Sequence, residues 1–525
     1  MTDKGRKTVE SIPDRSDEDL TGLDRIVWNV LTSWLSHLVV IVSGFVLPRV
    51  IDVYAGQVLL GVWDFAWSIV SYLDLLTLGV QSSINRYVAM YRAVDDQANL
   101  RKVVSTTVFV QMLSASAALV TTILLIIFLP KLFGETLGDE VSTAQTLIAL
   151  LGIASVIQIA CGASRGVLTG CHRWGLFNGI QAGSQFVMVT SMIVVLIFGG
   201  GLVGLGSAYL VVLTLTELLR VAISYRICPE LRISLSYAKW DQAKQMLFFG
   251  GKTLLGGAPS LLVTQTTNIM IVAVLGPAAL AVFARPMSLM RHLQTFVTRF
   301  SFVMTPTAGA LDAMGRDEEL RKLALQTVRF GVAFVLPIVL FLLVFGDVLL
   351  ELWMGKDYAN WLLIAVLASG HFLPAAQHPL MTILMGVDRH GSAAIVGLIT
   401  TLLIFPIATA VSYLLGMSLI SVAVAVSVTF TMALGIAVPV YACKVLKINY
   451  FSYLAWAFWP PFLCIIPYVL ILVVARFMFV HNGYTALIVG MVLGGFSLMI
   501  VYWRVLLTTD MRFRIRKKLG FGAVV

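Results

Sequence analysis

Arg285, His292 and Arg299 stand seven residues apart in an otherwise apolar stretch, 278–304. Two helical turns take about seven residues, so the three share one helix face with a drift of roughly 20° per heptad. At 1.5 Å per residue the stripe from Arg285 to Arg299 is about 21 Å long, most of a bilayer core. Ser288 and Thr295 flank it, and Arg291 lies to one side. A cationic face of that length cannot be turned toward lipid; it lines water, a ligand or a counter-charge.

Other ionisable residues fall inside apolar runs, where they are costly and usually functional. Lys252 lies in 247–275 with Thr264, Gln265, Thr267 and Asn268, and the glycines and Pro259 of 250–259 predict a bent or broken start to that run. His37, Asp64, Ser68, Ser71 and Asp74 bring polarity to the first two runs, and Glu217 and Arg220 to the sixth. The candidate ligand-contacting set is therefore Arg285, Arg291, His292, Arg299, Lys252 and His37. Asp64, Asp74 and Glu217 are candidates for coupling to protons or sodium. Plainer readings exist for single residues. Glu217 and Arg220, three apart, pair on one helix, Arg299 snorkels, and the aspartates pair with Arg291 or Lys252 for structure alone.

Motifs for covalent chemistry are missing. Gly199-Gly200-Gly201-Leu202-Val203-Gly204 matches GxGxxG but lies between two apolar runs, without the strand and helix a dinucleotide site requires. Gly251-Lys252-Thr253 resembles the end of a phosphate-binding loop, yet Met246 stands where its first glycine belongs. No cluster suggests a metal, no Ser/His/Asp set can be assembled, and no cofactor is expected. The chemistry expected is passage driven passively or by a proton or sodium gradient, not catalysis.

The elements that must position these residues follow from composition. Of 525 residues, 59% are hydrophobic and 12% charged, against roughly 45–50% and about 25% in soluble proteins. No single core absorbs that much apolar surface, so the chain is an all-α polytopic membrane protein. Fourteen runs of about 20 apolar residues extend from 26–48 to 484–503. With the amino terminus inside, internal connections hold 28 Lys and Arg and external ones four, with five inside runs. This asymmetry places both termini in the cytoplasm. The net charge of +10 sits in short loops, which excludes a nucleic-acid surface. Seven acids in the first 25 residues, with no apolar core, predict a cytoplasmic tail and not a signal peptide. The five cysteines show no CxxC spacing and imply no disulfide framework.

The chain also repeats itself. An offset of 220 aligns Gly56-x3-Leu60-x-Val62 with Gly276-x3-Leu280-x-Val282, and Leu100-Arg101-Lys102 with Leu320-Arg321-Lys322. An offset of 216 aligns Leu168-x-Gly170-x2-Arg173-x-Gly175 with Leu384-x-Gly386-x2-Arg389-x-Gly391. Six runs separate the copies, so both keep one orientation, the arrangement of transporters with two facing lobes. The expected organisation is a tail (1–25), a first lobe (26–225), a second lobe (240–442), two further helices (453–507) and a basic tail (508–525).

The stretch from Leu59 through Trp63-Asp64-Phe65-Ala66-Trp67-Ser68 to Gly79-Val80, followed by Arg86-Tyr87-Val88-Ala89-Met90-Tyr91, resembles the second span of the polysaccharide-transport flippases. These are the O-antigen (Wzx-type) members of the multidrug/oligosaccharidyl-lipid/polysaccharide exporter superfamily. The Leu-x-Gly-x2-Arg-x-Gly element shares that character. The resemblance implies an inner-membrane protein of bacteria that moves an undecaprenyl-pyrophosphate-linked oligosaccharide between leaflets, among membrane lipids and beside a glycan polymerase. Arginine suits the phosphate oxygens of such a lipid. Lipid II flippases of the superfamily carry an arginine near the start of span eight, and Arg285 stands one position earlier. Their last two helices form a groove for the lipid tail, which would suit the uncharged runs 455–475 and 484–503. Two rival readings are a multidrug exporter, which would favour an acidic cavity, and a membrane polymerase or ligase, which would need a sizeable catalytic loop.

Overall fold

The computed structural model describes residues 23–77, 79–228, 233–507 and 509–518. Over these the chain is helical, without a β-strand. The acidic tail expected over 1–25 falls almost wholly outside the described residues, as does the end of the basic tail. In chain order the first half comprises α1 (Leu23–Ala55), α2 (Gln57–Val70), α3 (Val80–Ala93), α4 (Gln97–Leu137), α5 (Val141–Ala160), α6 (Gly162–Gly170), α7 (Trp174–Ile197) and α8 (Gly201–Ile227). The second half comprises α9 (Trp240–Leu275), α10 (Pro277–Phe302), α11 (Thr305–Ala313), α12 (Asp317–Met354), α13 (Trp361–Gly386), α14 (His390–Leu414), α15 (Leu419–Phe430) and α16 (Val438–Val445). After these come α17 (Tyr450–Cys464), α18 (Ile466–Met478), α19 (Gly483–Val501) and α20 (Thr509–Lys518), the last within the basic tail.

Local chemistry sets the helix ends. Asp96, Asn360, Asn449 and Asn482 each accept a backbone N–H from the first turn of the helix that follows. Ser418 and Ser421 form a reciprocal cap on α15. The backbone N–H and amide of Asn99 hold the Asp96 carboxyl below its ordinary range. Left-handed turns recur at the offsets of the sequence match. Gly56 (φ +90) and Gly276 (φ +84) stand 220 apart, as do Asp95 (+52) and Gly315 (+67), whereas His172 (+56) and Asp388 (+54) stand 216 apart. The internal match is therefore a match of turn conformation as well as of residues.

Among the described residues ten helical segments are long and apolar enough to cross a membrane, and the α17–α18 pair, bent by 43°, makes eleven. Pro460 and Pro461 precede that bend and Pro467 opens α18. The protein is thus a multi-pass membrane protein, and the difference from the fourteen expected runs has physical causes. Gln97–Ala160 counts as one segment, although α4 and α5 reverse at Gly138 (φ +53) and pack on each other. Helices α10 and α13 are absent from the apolar set because polar residues dilute them: Arg285, Arg291, His292 and Arg299 on one, His371, Gln377 and His378 on the other.

The halves meet where α2 crosses α10 and where α9 runs along α2, α3 and α4. Two glycines make the approach possible. A Cβ on Gly61 would lie 1.8 Å from the carbonyl oxygen of Pro277, and one on Gly79 would lie 2.2 Å from that of Gly250. Near the first contact Tyr358 donates to Asp52 at 2.5 Å and Trp353 Nε1 donates to the Phe45 carbonyl at 2.7 Å. Farther along, Asn268 donates to Ser68 at 2.9 Å, and beyond Gly79 Ser83 donates to the Met246 carbonyl at 2.9 Å. Helices α17–α19 pack on α12, where Tyr468 donates to the Pro337 carbonyl and Arg476 pairs with Asp347 at 2.6 Å.

Candidate functional site

The heptad stripe does share one face of α10, but that face is turned toward α1 and α2. Arg285 is nearly closed off from solvent and pairs with Asp64 of α2; its Nε also donates to the Ala281 carbonyl of its own helix. His292 stacks on Phe45 of α1, with centroids 5.3 Å apart. Arg299, at the far end, donates to Ser33 at 3.4 Å. His37 is buried edge-on against Phe296, 5.8 Å away, with no partner for Nε2. Periodicity placed these residues correctly relative to one another; their neighbours come from a different part of the chain.

The residue off the stripe, Arg291, faces an open space. A cavity of about 530 Å³ lies among α9, α10, α13 and α14 and the π-helical turn Thr431–Ala437. Arg291, Gln294, Thr295, Thr298 and Arg299 supply its α10 wall, Gln377 and His378 face it from α13, and Ala393 to Gly397 from α14. Its α9 wall is Gly256, Gly257, Pro259 and Ser260, where a Cβ on either glycine would meet nothing within 4 Å. Of the bend or break expected over 250–259, a break is not found: α9 runs on through Pro259, because the ring removes only one hydrogen bond from a helix packed on several sides. Lys252 lies on α9, and its side chain is outside the described residues.

No carboxylate is among the residues that line this cavity. Two guanidiniums therefore face it without a counter-charge in its wall, and Asp64, already paired with Arg285, is the acid that attracts Arg291 from outside. Hydroxyls and amides from Thr295, Thr298, Gln294 and Gln377 surround the cations. Such a lining accepts an anion with several oxygens, and the absence of wall carboxylates disfavours a cation.

The first half treats its charges differently. Glu217, 1% exposed, accepts from Arg220 at 2.6 Å and from Arg165 at 2.7 Å, and Arg220 also donates to Gln181 at 2.7 Å. The Glu217–Arg220 pairing expected from their spacing is present. Arg165 sits on α6 and completes the cluster. Asp74 is exposed on the 3-10 stretch Ser71–Thr77 that joins α2 to α3, and Arg165 is the cation that acts on it.

A family model described as polysaccharide biosynthesis protein matches residues 90–362, more than half of the chain. The chain belongs to that family. A candidate O-antigen transporter of Shigella flexneri is 22% identical over 354 residues, covering 66% of this chain and 81% of that protein. Among solved structures, the lipid II flippase MurJ in an inward closed conformation aligns with TM-score 0.67 at 12% identity, over 92% of this chain and 100% of its own. An inward-facing multidrug resistance MATE transporter of the MOP superfamily aligns with TM-score 0.62 at 15% identity, over 81% and 94%. At those identities the likeness is one of fold, and the fold of this polysaccharide biosynthesis protein is that of the MOP superfamily.

Sequence reasoning missed Gln377, His378, Gln294 and Thr298 in the cavity wall. A signal existed for the first two: adjacent polar residues between Pro374 and Pro379, in the middle of an apolar run, carry a desolvation cost of their own.

Proposed function

We propose that the protein is a lipid-linked glycan flippase that carries an undecaprenyl-pyrophosphate-linked oligosaccharide across the bacterial inner membrane. The observation that carries this reading is the cavity holding Arg291 and Arg299 without a wall carboxylate. The pyrophosphate sits there on the two forks, with Gln294, Thr295 and Thr298 of the same α10 wall beside them. Fourteen crossings, both termini in the cytoplasm and two lobes of six helices (26–225 and 240–442) followed by a further pair (453–507) are the organisation proposed. The basic connections then face the cytoplasm. Access alternates as one lobe rocks against the other. A glycan polymerase is the expected partner on the far side, and the protein itself is not an enzyme.

The same uncompensated charge argues against an organic-cation exporter, despite the shared fold. Asp64 is the proposed coupling carboxylate: neutralising it by a proton or sodium ion frees Arg285 and loosens the seam between the lobes. Glu217, held between two arginines, supports structure, and Asp74 contributes through Arg165.

A flipping assay on the full chain in liposomes, with a fluorescent lipid-linked oligosaccharide and an impermeant quencher, tests the reading. Wild type should protect and expose label with time, and Arg291→Ala should abolish this while Arg291→Lys restores part of it. Equal rates in wild type, Arg291→Ala and protein-free liposomes would remove the flippase proposal. Rates indifferent to both gradients, with Asp64→Asn active as wild type, would remove the coupling.

A further inference from the structure

A second recess lies beyond the cationic cavity along the same two helices. Helices α9 and α14 both begin at basic connections, beside Lys239 and Arg389, and run the same way. Residues 256–260 of α9 and 393–397 of α14 wall the cavity, and residues 262–274 and 401–413 of those helices wall a groove of about 550 Å³ beyond it. Leu262, Met270 and Val274 face Phe405, Ala410 and Tyr413, and the surface they offer is almost all hydrocarbon. Only Leu261 separates the last cavity residue from the groove on one helix, and on the other a single turn does so. From 262 to 274 the groove runs about 18 Å along α9 at 1.5 Å per residue.

We infer that this α9–α14 groove holds the isoprenoid tail of the lipid whose pyrophosphate lies at Arg291 and Arg299, an inference that rests on the flippase reading. An anionic cavity ligand that is also a membrane lipid must place its hydrocarbon on the side away from the basic end, along the bilayer normal. That is the direction in which the groove extends. Leu402 and Val274, 56% and 47% exposed, leave its flank open to the surrounding membrane, so a tail reaches it laterally without threading through the bundle. Tyr413, 66% exposed, stands at the end remote from the cavity, where an amphipathic ring suits the water–lipid boundary. Helices α17–α19, which the family resemblance makes the tail's seat, share no wall with the cationic cavity and are instead occupied with α12.

The test uses the full chain in nanodiscs with two probes, undecaprenyl pyrophosphate and the short farnesyl pyrophosphate. Filling the groove with Ala410→Trp should weaken undecaprenyl pyrophosphate by roughly tenfold or more, since excluded methylenes cannot be buried, and leave farnesyl pyrophosphate unchanged. Unmodified protein exposed to undecaprenyl pyrophosphate with a diazirine midway along its tail should be labelled within 262–274 and 401–417. A diazirine-acyl phosphatidylglycerol should not compete. Label confined to α17–α19, equal competition by the phospholipid, or unchanged tail-dependent affinity in Ala410→Trp overturns the inference while leaving the flippase reading intact. Loss of Arg291-dependent binding for both probes would instead remove the reading on which it rests.

Discussion

The two halves of the chain bury similar residues and put them to opposite ends. In the first half Arg165, Arg220 and Glu217 close on one another, with Gln181 taking a further donor. In the second half Arg291 and Arg299 stand in a cavity wall of threonines, glutamines and glycines that holds no acid. In the first arrangement one carboxylate is shared by two guanidiniums, so each arginine has an acid in direct contact. The second retains its attraction for something that arrives. An intramembrane arginine is thus no guide to function until its counter-charge is located, and on the proposed reading the same residue type serves as mortar in one half and as a receptor in the other.

The sharpest way to break this contrast is Glu217→Ala. Removing the shared acid leaves two guanidiniums in the buried cluster, a loss of about 3–5 kcal/mol by analogy with other broken buried pairs, and the protein should fall in melting temperature and membrane yield. Adding Arg220→Met should recover part of it. If Glu217→Ala melts like wild type, the cluster is not structural. Arg291→Ala should show the reverse pattern: melting temperature close to wild type, within the roughly 0.5 kcal/mol typical of accessible sites, and transport reduced by at least about tenfold. A stability loss comparable to that of Glu217→Ala would put Arg291 in the structural class.

Asp64 and Arg285 fall between these extremes, since they form a pair that joins the halves. A double-mutant cycle with Asp64→Asn and Arg285→Gln, read by thermal melting, should give a coupling of about 0.5–3 kcal/mol. Additive single effects would mean the contact is not energetically formed. The smallest expected effect is that of Tyr358→Phe, which removes the donor to Asp52. It should cost about 1 kcal/mol and leave pyrophosphate binding unaltered, and a binding defect would tie that clasp to the cavity.

Much of this was legible before any coordinates. Apolar content, the basic connections and the repeated Gly56 and Gly276 turns are local or periodic signals, and a sequence carries such signals openly. The orientation of α10 was not legible. Heptad spacing fixes the angles among Arg285, His292 and Arg299, but the face they present depends on Asp64 and Phe45, more than 200 residues away. Arg291 went under-weighted for the same reason. Arg165 was hidden by its place at a span boundary, where a basic residue is indistinguishable from a topology signal until α6 is seen to carry it inward to Glu217.

The two backbone contacts between the halves, Gly61 against Pro277 and Gly79 against Gly250, lie toward opposite ends of α9, whose stretch from Gly250 to Leu275 is about 38 Å long. Two fixed points permit rotation only about the line through them. Tilting one half so as to part the halves at either end therefore requires releasing the contact at that end and pivoting on the other. On the alternating-access proposal the pair acts as an interlock on a two-door chamber: with one contact seated as the fulcrum, only the opposite door swings. A single methyl group at position 61 or at position 79 would wedge a different door, so two of the smallest possible changes push the resting chamber in opposite directions.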